Sequence, residues 1–133
     1  MDFALNHKTA PKLGFAAFLD LAAELRCVGV EPRNDLGRPV FDGIEPVRAG
    51  EMARERGLRF IGLREVYPFN NWNENRRAAA RLIETAQAAG AETVSLIPRV
   101  DGRESDGAER ATTLRPVLAE IPRMLHGEEE ARP

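Results

Sequence analysis

One cysteine, Cys27, in 133 residues leaves nothing to close an internal disulfide and nothing to build a Cys-rich zinc module. An excess of one charge is also missing. The 19 Lys+Arg stand against 21 Asp+Glu, and 17 of the basic residues are arginines spread along the chain among acids. That pattern argues against a dedicated nucleic-acid binder, which carries a basic patch. No apolar run approaches the roughly 18 residues of a membrane span. Met1-Asp2-Phe3 opens without the basic and apolar regions of a secretory signal. These absences predict a cytoplasmic protein that engages neither nucleic acid nor membrane. Several chemical motifs are absent too: no G-x-G-x-x-G follows a strand, and there is no Walker A loop or G-x-S-x-G elbow. The run Asp101 to Gly107 fails as a calcium loop, with Arg103 at its third position and Asp106 where a glycine belongs.

What is present is an alternation of two patterns. Short β-like runs occur at Phe3–Asn6, Cys27–Glu31, Arg59–Arg64 and Thr93–Ile97. Helical stripes lie between and after them. The first is Phe15, Phe18, Leu19, Ala22 and Leu25. The second has start signals at Asp42 and Pro46 and a stop at Gly57. The third is Ala79, Leu82, Ile83 and Ala86, closed by Gly90. The fourth is Ala111, Leu114, Leu118, Ile121 and Leu125. Pro116 and Pro122 inside the fourth predict a kink or a break. Cys27 falls on a predicted strand, in a structural position.

The order is therefore βαβαβαβα. Strand ends recur every 34 residues at Glu31, Glu65 and Arg99, which suits a parallel sheet with crossover helices. We read residues 1–127 as one α/β domain and the acidic 128–133 as a solvated tail. Helix-to-strand connections are minimal, whereas strand-to-helix connections are long and polar. Ligands in parallel α/β folds bind beyond the carboxyl ends of the strands, where the long loops gather.

The candidate site residues lie in those loops. Asn6-His7 ends the first strand. His7 is either an acid, base or ligand, or a hydrogen-bonded loop histidine. Glu31-Pro32-Arg33-Asn34-Asp35, with Gly37-Arg38, follows the second. Two arginines and a turn suit a phosphate or carboxylate, although a surface ion-pair network gives the same pattern. Glu65-Val66-Tyr67-Pro68-Phe69-Asn70-Asn71-Trp72 follows the third and holds the only Tyr and only Trp. It reads as a polyol pocket or as a loop packed over the sheet end. Arg99 ends the fourth strand, placed to hold an anionic group. His126 reads as a helix C-terminal cap.

Phe3-Ala4-Leu5-Asn6-His7, Gly29-Val30-Glu31-Pro32-Arg33-Asn34-Asp35 and Ser95-Leu96-Ile97-Pro98-Arg99 resemble the xylose-isomerase-like TIM barrels, the sugar phosphate isomerase/epimerase group. The resemblance covers about residues 2–115. It implies a metal-assisted proton shift next to a carbonyl, with a divalent metal (Mn or Mg) in the full-length family acting as a Lewis acid. It implies substrate contacts at Asn6, His7, Glu31, Arg33 and Glu65, and the loop reading adds Asn34, Asn70, Trp72 and Arg99 as substrate-binding candidates. The family's metal ligands come from the second half of the barrel, so no metal ligand is assigned here. Were a metal to bind, the rim donors are His7, Glu31, Glu65 and Asp101.

A (β/α)8 barrel takes about 250 residues, and four βα units make a half barrel. We therefore expect a chain that is inactive alone and completed by a second copy or a second-half chain. The alternative is a non-catalytic sugar- or anion-binding remnant. Alternate strand residues point to opposite faces, so Val28, Val30, Ile61, Leu63, Val94 and Leu96 are not all expected to hide under the helices.

Overall fold

A computed structural model of the chain describes residues 1–67, 72–98 and 107–125, without the side chains of 72 and 107–114. The strands are β1 (Ala4–Asn6), β2 (Gly29–Glu31), β3 (Arg59–Phe60), β4 (Gly62–Val66) and β5 (Thr93–Leu96). The helices are α1 (Phe15–Glu24), α2 (Pro46–Glu55), α3 (Trp72–Ala89) and α4 (Gly107–Leu125). The βα alternation read from the sequence is the observed one. The acidic tail lies outside the described residues.

The chain divides into two compact units. The first comprises Met1–Glu65 and Thr85–Ser95. In it β1, β2 and β3 form a parallel sheet in that order, with Leu5 beside Val30 and Val30 beside Phe60. Residues in register share a face. Val30 is fully buried and Phe60 nearly so, which makes theirs the covered face. Beneath it lie Phe15, Phe18, Leu19 and Ala22 of α1 and Ala49 and Ala53 of α2. Each fully buried large side chain contributes about 1.5–3 kcal/mol. The opposite face carries Ala4, Asn6, Gly29 and Glu31.

Three details differ from the sequence reading. The third strand changes partner at Ile61, and β4 belongs to a two-stranded sheet with β5. Ile61 donates its N–H to the Val30 carbonyl, and its own carbonyl accepts from both the N–H and the hydroxyl of Thr93. The polypeptide is thus bonded on both sides where the strand assignment lapses. Leu25 does not join the α1 stripe; it caps the helix and is 58% exposed. Asp42 does not start α2. It reaches back to cap α1, its Oδ2 accepting from the Phe15 N–H at 2.7 Å, while Pro46 opens α2. The six apolar strand residues also divide unequally. Val30 and Leu63 are fully buried, and Val28, Ile61, Val94 and Leu96 are half-buried.

The minimal helix-to-strand connections have one physical origin. After α2, the Gly57 N–H donates to Arg54 O and the Leu58 N–H to Ala53 O. After α3, Gly90 donates to Gln87 O and Ala91 to Ala86 O. After α1, Arg26 donates to Ala23 O and Cys27 to Ala22 O. This Schellman pattern requires a left-handed residue at its centre. Gly57 and Gly90 supply it freely with φ of 71° and 76°, and Arg26 is held there at φ 60°. The chain then turns directly into the next strand. Gly50 has a different role: a Cβ there would lie 2.1 Å from the Ala89 carbonyl oxygen, so its absence sets how closely α2 approaches the end of α3.

The second unit comprises Val66–Glu84 and Leu96–Pro133. The Ile97 N–H donates to the Val66 carbonyl, and Arg76 pairs with Glu120 at 2.8 Å, joining α3 to α4. The expected break in α4 does not occur; the helix runs through Pro116 and Pro122. Each proline removes only one backbone donor from a 19-residue helix. No helix among the described residues is long and apolar enough to cross a membrane.

Candidate functional site

The carboxyl ends of β1, β2 and β4 bring one polar cluster together in the first unit. Asn6 and Glu31 are register partners on adjacent parallel strands, which places their side chains side by side on the uncovered face. The Asn6 amide donates to Glu31 Oε2 at 3.1 Å, and its Oδ1 accepts from the Lys8 N–H at 2.9 Å. Asn6 thereby orients the Glu31 carboxylate while turning the chain away from β1.

Two residues beyond Glu31, Arg33 lies in a parallel bridge with Arg64 of β4. Its side chain is only 6% exposed. Nε and Nη2 donate to the two oxygens of Asp35 at 2.7 and 2.6 Å, and Nη2 is 3.7 Å from Glu65. The Asp35 hydrogen bonds, with the charges of Asp35, Glu65 and Glu31, raise the Arg33 pKa against the effect of burial. The same Arg33 hydrogen bonds hold the Asp35 carboxyl below its usual range. Lys8 lies 3.9 Å from Asp35.

Asn34 fixes Glu65. Its Oδ1 accepts from the Glu65 N–H at 2.6 Å, and its Nδ2 donates to the Glu65 carbonyl at 3.0 Å. The side-chain amide thus substitutes for one more strand residue. The Glu65 carboxylate turns toward Arg64 Nη2 at 3.3 Å and toward Arg33. The peptide between Arg64 and Glu65 is cis.

His7 is placed differently. It is 3% exposed and stacks on Phe18 at 4.1 Å with the rings nearly parallel. Nε2 lies 2.8 Å from the Leu13 carbonyl. Arg38 Nη2 lies 3.1 Å from the same nitrogen; a carbonyl accepts and a guanidinium donates, so these two neighbours favour opposite protonation of Nε2. Arg38 donates to that same carbonyl and pairs through Nε with Asp42 at 2.8 Å. Burial, partly opposed by the Leu13 hydrogen bond, lowers the His7 pKa, with the Arg38 charge acting in the same direction as burial. This histidine joins the β1–α1 loop to the β2–α2 loop beneath the rim.

Of the residues singled out from the sequence, Asn6, Glu31, Arg33, Asn34 and Glu65 are brought together. Asn70 and Arg99 lie outside the described residues, as do Asp101 and His126, and so does the Trp72 side chain at the start of α3. Asp35 and Arg64 join the cluster without having been singled out as site residues. Asp35 was signalled by its place two residues beyond Arg33 in a turn. Arg64 was masked by its position within a strand. A divalent metal is the group that the family resemblance implies. Among the described residues, no three His, Cys, Asp or Glu side chains are grouped to hold one. The donors among the described residues therefore do not fit a divalent metal.

Parallel βα units with polar side chains gathered at the strand carboxyl ends define one half of a TIM barrel. The chain carries the N-terminal half of the xylose-isomerase-like fold. It is similar to a xylose isomerase domain containing protein from Salmonella typhimurium LT2, with a TM-score of 0.81 and 29% identity over 92% of this chain and 46% of that one. A protein from Sinorhizobium meliloti 1021 shares the fold with a TM-score of 0.67 and 20% identity over 96% of this chain and 47% of that one. A xylose isomerase domain protein from Alicyclobacillus acidocaldarius does so with a TM-score of 0.57 and 19% identity over 96% and 46%. The chain thus spans just under half the length of these proteins. No protein-family model and no curated protein matches the sequence.

Proposed function

We propose that this chain supplies the substrate-contacting rim of the first four βα units of a sugar or sugar phosphate isomerase/epimerase. The reaction is a proton shift next to a carbonyl, completed by a second copy of the chain or by a second-half chain. A metal used in that reaction would be held by the completing half. One observation carries the reading: Asn6, Glu31, Arg33 and Glu65 converge at the carboxyl ends of three neighbouring strands, where α/β folds bind ligands. Glu31, oriented by Asn6, accepts hydrogen bonds from ligand hydroxyls. Arg33 holds the local charge in balance, and Asn34 fixes the backbone that carries Glu65.

The test is calorimetric titration of the chain with a panel of aldoses, ketoses and polyols. At least one binds the wild type, and Glu31→Gln weakens it by about tenfold, as for loss of one charge-assisted hydrogen bond. Equal affinity with unchanged circular dichroism removes Glu31 from the site. A second reading, a non-catalytic sugar-binding module, uses the same Asn6 and Glu31 contacts. Binding that persists without turnover after a completing half is added would select it.

A further inference from the structure

Two arginines beside a turn suggested an anion site, and the structure shows what those arginines do. A phosphate grips a guanidinium through two parallel N–H donors. On Arg33 the Nε–Nη2 edge is already taken by both oxygens of Asp35. Arg38 is held by Asp42 and the Leu13 carbonyl. Arg64 faces Glu65, and Lys8 faces Asp35. Glu31 accepts instead from the neutral Asn6 amide. A phosphate entering here would meet Glu31 and Glu65, and the remaining Nη1–Nη2 edge of Arg33 lies beside the Glu65 carboxylate, 3.7 Å from Nη2.

We propose that Asp35 determines specificity at this rim: it occupies the Nε–Nη2 edge of Arg33 while Glu65 stands beside the other edge, and together they exclude phosphate, so the ligand portion held by Glu31 and Asn6 is an uncharged polyol. This rests on the sugar-binding reading above and sharpens it. If the whole substrate is phosphorylated, its phosphate lies away from this cluster. The low pKa of Asp35 agrees, because the pairing stays intact at neutral pH.

The experiment uses the full chain with three probes: a neutral pentose or pentitol, its phosphate ester and inorganic phosphate. Wild type binds the neutral probe, inorganic phosphate does not displace it, and the ester binds no more tightly. In Asp35→Ser the freed edge gains inorganic phosphate affinity by about ten- to a hundredfold, whereas Asp35→Glu keeps the exclusion. Displacement of the neutral probe by phosphate in wild type overturns the inference and leaves the sugar-binding reading standing. So does a folded Asp35→Ser that gains nothing. Should Asp35→Ser not fold, the wild-type displacement result decides. A wild type that binds none of the sugars overturns both.

Discussion

Asn34 offers the most direct test of how the rim is built. Its amide forms two hydrogen bonds to the backbone of Glu65, 31 residues away, at 2.6 and 3.0 Å. Each such bond contributes about 0.5–1.5 kcal/mol net. Both are solvent-accessible, so water recovers part of the loss, and Asn34→Ala should cost about 1–1.5 kcal/mol. Asn34→Asp separates the two bonds. It keeps an acceptor for the Glu65 N–H but sets an oxygen against the Glu65 carbonyl where a donor stood. It also adds a charge beside Glu65 and Asp35. The expected cost at neutral pH equals or exceeds that of alanine. The sign with pH is also fixed. A protonated Asp restores a donor, so its folded pKa is raised above the ordinary value of about 3.9. The deficit relative to wild type should therefore narrow as pH falls through and below that raised value. Urea denaturation of the three proteins at neutral and acidic pH measures this. An alanine variant within about 0.5 kcal/mol of wild type, or a neutral-pH Asp variant as stable as wild type, would refute the clamp.

Two further outcomes follow from the same geometry. Arg26 sits at the left-handed centre of a helix stop that glycine fills after α2 and α3, so Arg26→Gly should stabilise the protein by about 0.5–1 kcal/mol. Thermal unfolding would register a rise of about 2–4 °C, and no rise would mean that Arg26 makes a compensating contact. His7 has a folded pKa below the ordinary histidine value of 6.5. The unfolded chain therefore binds the proton first, and stability is fully present above about pH 6.5. It is lost as pH falls from there toward the folded pKa, by at most about 1.4 kcal/mol per pH unit. His7→Gln should flatten that window in a stability–pH profile; an unchanged slope would assign the titration to another group.

The legible parts of the fold are those encoded within a few residues. The apolar run around Val30, read with its flanks, and the α1 stripe announce the core, and Gly57 and Gly90 announce two helix ends. The first helix end was illegible as a stop because Arg26 occupies the glycine position. Asp42 was misread for a related reason. An acid four residues before Pro46 looks like a start signal for α2, yet it caps α1, whose first N–H lies 27 residues back. Asn34 carries no local sign that its partner is the backbone of residue 65. Strand ends thus identified where a site lies, while the pairing within it depended on loops meeting across the fold.

That division bears on how half a barrel presents itself. Alternating apolar strands led to the expectation of greasy inner faces in need of cover. The register instead assigns the large apolar residues of β2 and β3 to the helix-covered side. On the other side the first unit presents Ala4, Gly29, Asn6, Glu31 and Arg59, with the Ile61 side chain reaching over Gly29. Any completing half meeting this face finds Ile61 as its large apolar contact among small and polar residues, and at about 25 cal/mol per Å2 the small side chains contribute little to association. Its specificity must come from matching donors and acceptors, because a buried Glu31 without a hydrogen-bonding partner is costly. Glu31 is thus constrained twice, by the ligand it faces and by whatever covers the sheet beside it. Glu31→Leu separates these constraints: it removes the ligand contact while relieving the burial cost.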